Sequence, residues 1–197
     1  MQQIFDSHAH YDDAAFDPDR AALLASLPGQ GVCGIINAAS ILASARAGIA
    51  LAAQYGYLYA AVGIPPLDAE TAPDLDNAMT QLRVLAAQPK VVAIGEIGLD
   101  FHYDVPRVIQ LPLLRRQLAL ANDLHLPVIL HDREAHGPML DLLREFRPAG
   151  VVHCFSGSVE MAREVLALGL YIGLGGATTF KNAVHPLEVA AMVPPDR

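Results

Sequence analysis

Between residues 91 and 131 the chain reads Val91-Val92-Ala93-Ile94-Gly95-Glu96, then an amphipathic stretch over 111–125, then Pro127-Val128-Ile129-Leu130-His131. The two outer runs are nearly continuous in apolar residues and have the length of strands covered on both faces, whereas the stretch between them carries helical spacing. Strand, helix and strand in that order make a βαβ unit with parallel strands. Each outer run also closes on a side chain suited to metal ions, Glu96 in the first and His131 in the second.

The same alternation continues in both directions. Strands are expected over 4–8, 32–37, 57–64, 91–95, 127–131, 150–154 and 170–175, and helices over 21–27, 41–54, 75–87, 111–125, 139–146, 159–168 and 183–192. Pro28, Gly29, Pro89, Pro127, Pro148 and Gly169 fall between these elements, where a helix stops or a strand begins. Seven parallel strands fit an open doubly wound sheet or most of an eight-stranded barrel, and spacing does not separate the two.

The polar residues do separate them. His8 and His10 close the first strand, Glu96 the fourth, His131 the fifth and His153 the sixth. In a barrel the carboxyl ends of all strands open onto one face, so side chains far apart in sequence meet there. The expected fold is therefore an α/β, TIM-type (β/α) barrel. In His8-Ala9-His10, strand alternation puts both imidazoles on one side, where they grip one ion. Imidazole and carboxylate suit Zn, Mn, Co or Ni, and a carboxylate such as Glu96 bridges two ions. A single strand-end histidine is more often a hydrogen-bonded structural residue, by roughly three to one, and Glu96 between Gly95 and Gly98 also fits a helix cap or a partner of arginine. Those readings weaken jointly, because four of the seven strands carry His or Glu at the same end. His125, His136 and His185 are read as structural or solvated, while His102, just after the fourth strand, is placed on the same face as the ligands.

Bulk properties narrow the class. With 197 residues the chain is read as one domain over 1–197. At 53% hydrophobic and 17% charged it has the profile of a parallel α/β enzyme. No run approaches the ~20 apolar residues of a membrane span, and the N-terminus lacks the pattern of a secretory signal, so a cytoplasmic protein is expected. Cys33 and Cys154 fall inside apolar runs read as separate strands and are expected to be reduced. A net charge of -8 argues against a dedicated nucleic-acid-binding module, and leaves room for a nuclease whose substrate is drawn in by local cations or bound metal.

Several segments resemble the TatD family of metal-dependent deoxyribonucleases: Asp6-Ser7-His8-Ala9-His10-Tyr11-Asp12, Gly95-Glu96-Ile97-Gly98-Leu99-Asp100, Pro127 to Ala135, and His153-Cys154-Phe155-Ser156-Gly157. Tyr171-Ile172-Gly173 and Phe180-Lys181-Asn182-Ala183 are similar to the family's seventh unit, so the resemblance spans the chain. It implies a hydrolase of phosphodiester bonds in DNA that works with two divalent ions, Mg2+, Mn2+ or Zn2+. His8, His10, Glu96, His131 and His153 take the ligand roles, with Glu96 also in a catalytic one. Arg133, Ser156 and Lys181 match positions suited to phosphate, and Asp12 and Asp100 orient ligands or loops. DNA is the implied partner, with no membrane and no obligate protein partner.

Two departures qualify the resemblance. The family's His-Pro pair after the third strand reads Gly63-Ile64-Pro65-Pro66 here, which removes a polar group on the substrate side. The family's eighth strand, with its aspartate, would begin where this sequence reads Pro194-Pro195-Asp196-Arg197, so a barrel lacking that strand and the C-terminal helix is expected, C-terminally truncated. Two other functions fit the same sequence: an amidohydrolase or lactonase on the same barrel, or a catalytically silent metal-binding protein.

Overall fold

The computed structural model describes residues 3–39 and 41–197. Seven strands, β1 (Ile4–Ala9), β2 (Val32–Ala38), β3 (Leu58–Val62), β4 (Val91–Asp100), β5 (Val128–Arg133), β6 (Gly150–Val152) and β7 (Tyr171–Ile172), form one curled sheet in the order of the chain, all neighbours parallel. The helices are α1 (Arg20–Ser26), α2 (Leu42–Ala52), α3 (Leu75–Ala86), α4 (Arg107–Leu124), α5 (His136–Phe146), α6 (Val159–Ala167) and α7 (Val184–Met192). The expected barrel is thus the observed architecture, with β1 and β7 as the two edges of the sheet among the described residues. No helix among them is long and apolar enough to cross a membrane.

Local chemistry explains several boundaries. The Asp74 carboxylate accepts from the amides of Asp76 and Asn77, and the Ser158 hydroxyl accepts from that of Met161, which fixes the starts of α3 and α6. Helix α4 begins four residues ahead of the expected 111, because Pro112 disguises a helix that continues through it.

Two fully buried glutamines on α4 tie that helix to the sheet. The Gln117 amide donates to the Ile64 carbonyl and accepts from the Ile64 amide, at 2.9 and 2.8 Å. Gln110 does the same for Asp100, at 2.8 and 2.9 Å, and also donates to the carbonyl of Val105 at 2.9 Å. Both side chains are thereby satisfied in an apolar layer where an unpaired amide is costly.

Two expectations need correction. Strand β4 does not end at residue 95 but runs to Asp100, so Glu96 lies inside it. Pairing with β5 slips there, Ile94 facing Val128 and Ile97 facing Leu130, so one extra residue is accommodated as a bulge that re-aims Glu96. Gly98 makes the crossing with β5 possible, since a Cβ on it would stand 2.0 Å from the carbonyl oxygen of His131. Cys33 lies on β2 as expected, on an exposed position, whereas Cys154 lies beyond β6 in a turn of positive φ and not in a strand. Both are unpaired.

Helices and sheet meet in a main core through α2 to α7 and a smaller one under α1 and β2. Inside the curl, Ala61, Ala93 and Ile129 form a thin layer with Ile36 and Val151. This layer is the floor on which the polar centre stands.

Candidate metal centre

Four imidazoles converge on one buried carboxylate at the carboxyl ends of the strands. Nε2 of His8 lies 3.0 Å and Nε2 of His10 3.5 Å from Oε2 of Glu96. Nδ1 of His131 lies 3.0 Å and Nε2 of His153 2.8 Å from Oε1. His8 comes from β1, Glu96 from β4 and His131 from β5, while His10 and His153 are the first residues past β1 and β6, so the curl of the sheet, not sequence proximity, assembles them. The His8 and His153 rings stack with centroids 3.8 Å apart.

Acceptors on the far side of two rings fix their proton positions. Nδ1 of His10 donates to the Ala38 carbonyl at 2.9 Å, and Nε2 of His131 donates to Oδ2 of Asp100 at 2.9 Å. Their remaining nitrogens therefore face Glu96. Nδ1 of His131 and Nε2 of His153 also lie 3.3 Å apart, where a single proton at most fits between them.

The electrostatics follow from this crowding. Burial alone would raise the Glu96 carboxyl, but contacts with His10, His131, His153 and His8 overcome it and hold the group far below the usual carboxylate range. The bond to Glu96 raises His10 despite burial. His131 is pulled down by burial, then carried above its ordinary value by Glu96 and Asp100. For His153 burial wins, and its pKa is lowered.

The donor set is that of a divalent metal site. His8, Glu96 and His153 offer three ligand atoms within 4.8 Å of one another. Nδ1 of His153 is buried without a hydrogen-bond partner, which marks the ring as incompletely satisfied by protein alone. The residues present fit a bound cation.

The other predicted residues divide. Asp100 contacts the His131 ring, and its Oδ1 also accepts from the amides of His102 and Tyr103. Asp12 orients a loop instead: its Oδ1 accepts from Asn37 at 2.7 Å, and Asn37 in turn accepts from the Tyr11 amide at 2.6 Å. Arg133 lies two residues beyond His131 on β5, with its guanidinium 5.1 Å from the Tyr103 ring centre. Ser156 and Lys181 are exposed in the loops after β6 and β7. His102 sits at the mouth, with Nδ1 2.8 Å from Oε1 of Glu134, while His136 pairs with Asp132 and His185 with Glu188.

Sequence reasoning missed three participants. The Ala38 carbonyl and Asn37 carry no signal in a single sequence, because one is backbone and the other sits within an apolar strand. Asp68 lines a cavity of about 170 Å³ together with His10, Glu96 and His131. Burial pushes its carboxyl up. It follows the Pro65-Pro66 pair where the loss of a polar group was expected, so the pocket keeps an acid there. A run of one 3-10 turn over Pro66–Thr71 aims it, and the spacing of the sequence does not reveal that.

A curled parallel sheet with this donor set at its carboxyl mouth defines a metal-dependent hydrolase of the α/β-barrel class. Residues 5–197 match the family described as TatD related DNase, and the chain belongs to that family. It is 37% identical over 198 residues to the uncharacterized metal-dependent hydrolase YabD of Bacillus subtilis (strain 168), covering 98% of this chain and 77% of that one. It is 36% identical over 196 residues to a protein of Cronobacter turicensis named 3'-5' ssDNA/RNA exonuclease TatD, covering 97% and 73%. The crystal structure of YjjV, a TatD homolog from Escherichia coli K12, superposes with a TM-score of 0.90 at 38% identity over 97% of this chain and 75% of that one.

Proposed function

We propose that the protein hydrolyses phosphodiester bonds in DNA, with His8, His10, Glu96, His131 and His153 holding two divalent ions, Mg2+, Mn2+ or Zn2+. The observation that carries this reading is the convergence of four imidazoles within 3.5 Å of the Glu96 carboxylate. Glu96 presents one oxygen to His8 and His10 and the other to His131 and His153, so that each oxygen, with its pair of imidazoles, would help hold one ion. When bound, the ions supply charge stabilisation at the phosphoryl oxygens and a nucleophile at neutral pH.

The chain's own residues do the rest. Asp100 holds the His131 ring in the orientation that leaves Nδ1 toward the centre, and the Ala38 carbonyl does the same for His10. Arg133, at the rim above His131, binds phosphate through its forked donors, with Ser156 and Lys181 as further contacts from the neighbouring loops. The chain carries a net charge of -8, so a polyanion is held by these local cations and the ions rather than by the field of the whole surface. The name 3'-5' ssDNA/RNA exonuclease borne by a relative at 36% identity supports a nucleic acid as substrate.

The test is Glu96→Gln assayed with Mn2+ on a single-stranded oligonucleotide. Turnover is expected to fall at least ~100-fold, the loss that follows removal of a bridging charge at the reacting centre. Chelation should silence the parent protein. Unchanged turnover in Glu96→Gln refutes the assignment, and a parent protein that cleaves lactones or amides while ignoring oligonucleotides refutes the substrate.

A further inference from the structure

The loop between β4 and α4 carries an aromatic ring that hydrolysis itself does not require. Tyr103 is 52% exposed, yet its backbone is tightly held. Its amide donates to Oδ1 of Asp100 at 3.3 Å, and its carbonyl accepts from the Val105 amide at 2.9 Å. The carbonyl of Val105 is taken by Gln110. The other oxygen of Asp100 holds His131, so one carboxylate fixes both the ring-bearing loop and a ligand of the centre.

The position of the ring follows from strand alternation. His131 and Arg133 share one side of β5, and the Arg133 guanidinium stands 5.1 Å from the Tyr103 ring centre. The ring therefore stands beside an arginine two residues further along β5 than His131, toward the carboxyl end of that strand. His102 packs perpendicular to it with centroids 5.1 Å apart, and is itself held by Glu134.

A half-exposed aromatic on a held backbone, beside a cation and near a centre that handles phosphodiesters, is complementary to a flat base joined to a phosphate. Stacking on a nucleobase is worth ~1–3 kcal/mol, and a tyrosine, with two side-chain torsions, loses little entropy in supplying it. The acidic surface also leaves less of the affinity to long-range attraction, so short-range stacking has more to supply. We propose that Tyr103 is a substrate-positioning residue that stacks an unpaired nucleobase while Arg133 takes the adjoining phosphate. This rests on the nucleic-acid reading given above.

The test compares two fluorescein-labelled probes, single-stranded dT12 and a 12-unit abasic sugar-phosphate oligomer, binding to the full chain with Mn2+ present. Tyr103→Ala is expected to weaken dT12 binding about tenfold and to leave the abasic oligomer unchanged. Tyr103→Trp should restore dT12 binding, and Arg133→Ala should weaken both probes. Equal dT12 binding by Tyr103→Ala and the parent, or an equal loss on both probes, overturns the stacking role while leaving the nuclease reading intact. A parent protein that binds and cleaves neither probe overturns both.

Discussion

Strands β5 and β7 belong to one sheet and carry similar apolar residues, yet they meet opposite surroundings. On β5, Val128, Ile129 and Leu130 are buried between helices and the interior layer. At the other side of the curl, Tyr171 of β7 is 48% exposed and Phe5 of β1 55%. Between them lies an open cavity of about 800 Å³ lined by Phe5, Ile36, Ile129, Val151 and Tyr171 among others, with Pro195 to Arg197 at its edge. The difference teaches that an apolar strand is buried by having neighbours on both sides, and that the centre draws its rigidity from the β4–β5 side. Glu96, Asp100 and His131 all stand there, whereas His8 reaches the same carboxylate from the edge strand.

The largest expected effect tests that contrast directly. Leu99→Ala, at a position 0% exposed on β4, should cost ~3–4 kcal/mol in urea unfolding, as expected for truncation of a fully buried leucine. Phe5→Ala should cost less than about 1 kcal/mol, since much of its ring is already in water. Comparable losses at the two positions would break the comparison.

Next comes the coupling of the well-packed side to the metal. Asp100→Asn removes the charge that orients His131, and metal affinity measured by calorimetry should fall ~10–100-fold. Asp196→Asn, at the open seam, should leave it unchanged.

A smaller effect is the pH response. His10 and His131 have raised pKa values in the fold, so without metal their protonation stabilises the protein below their ordinary value of about 6.5. That contribution is lost as pH rises through the raised values. His153 acts oppositely, because its lowered pKa makes protonation unfavourable in the fold, and its penalty vanishes above the same ordinary value. Glu96 stays ionised throughout. The midpoint of thermal unfolding of metal-free protein should therefore drop from pH 6.5 upward, while the gain from added metal should grow as the ion replaces protons. A metal-induced gain that shrinks over that range would contradict the coordination proposed.

The smallest effect is Tyr171→Thr at the edge of the sheet, expected to stay within about 0.5 kcal/mol of the parent. A larger loss would mean that the seam is packed more firmly than its exposure implies.

Much of this was legible in the sequence, for physical reasons. Continuous apolar runs announced parallel strands, and the position of His8, His10, Glu96, His131 and His153 at their ends singled out the barrel. What escaped depends on register. The bulge that re-aims Glu96 inside β4 arises from pairing with β5, which no local pattern records. The orienting carbonyl of Ala38 belongs to the backbone, and Asp68 reaches the pocket through a turn whose direction is set by packing. The partner of Asp12, Asn37, lies on β2, a separate strand that no local pattern around Asp12 points to.

The two glutamines of α4 have a consequence for how the mouth can change shape. Gln110 and Gln117 are two helical turns apart, ~10.5 Å along the axis, and each grips the backbone of a different rim loop. The helix thus works as a gauge bar, setting the span between the rim bearing Asp68 and the rim bearing Tyr103. Grafting either rim onto a related scaffold would keep that span only if the bar were transplanted with it.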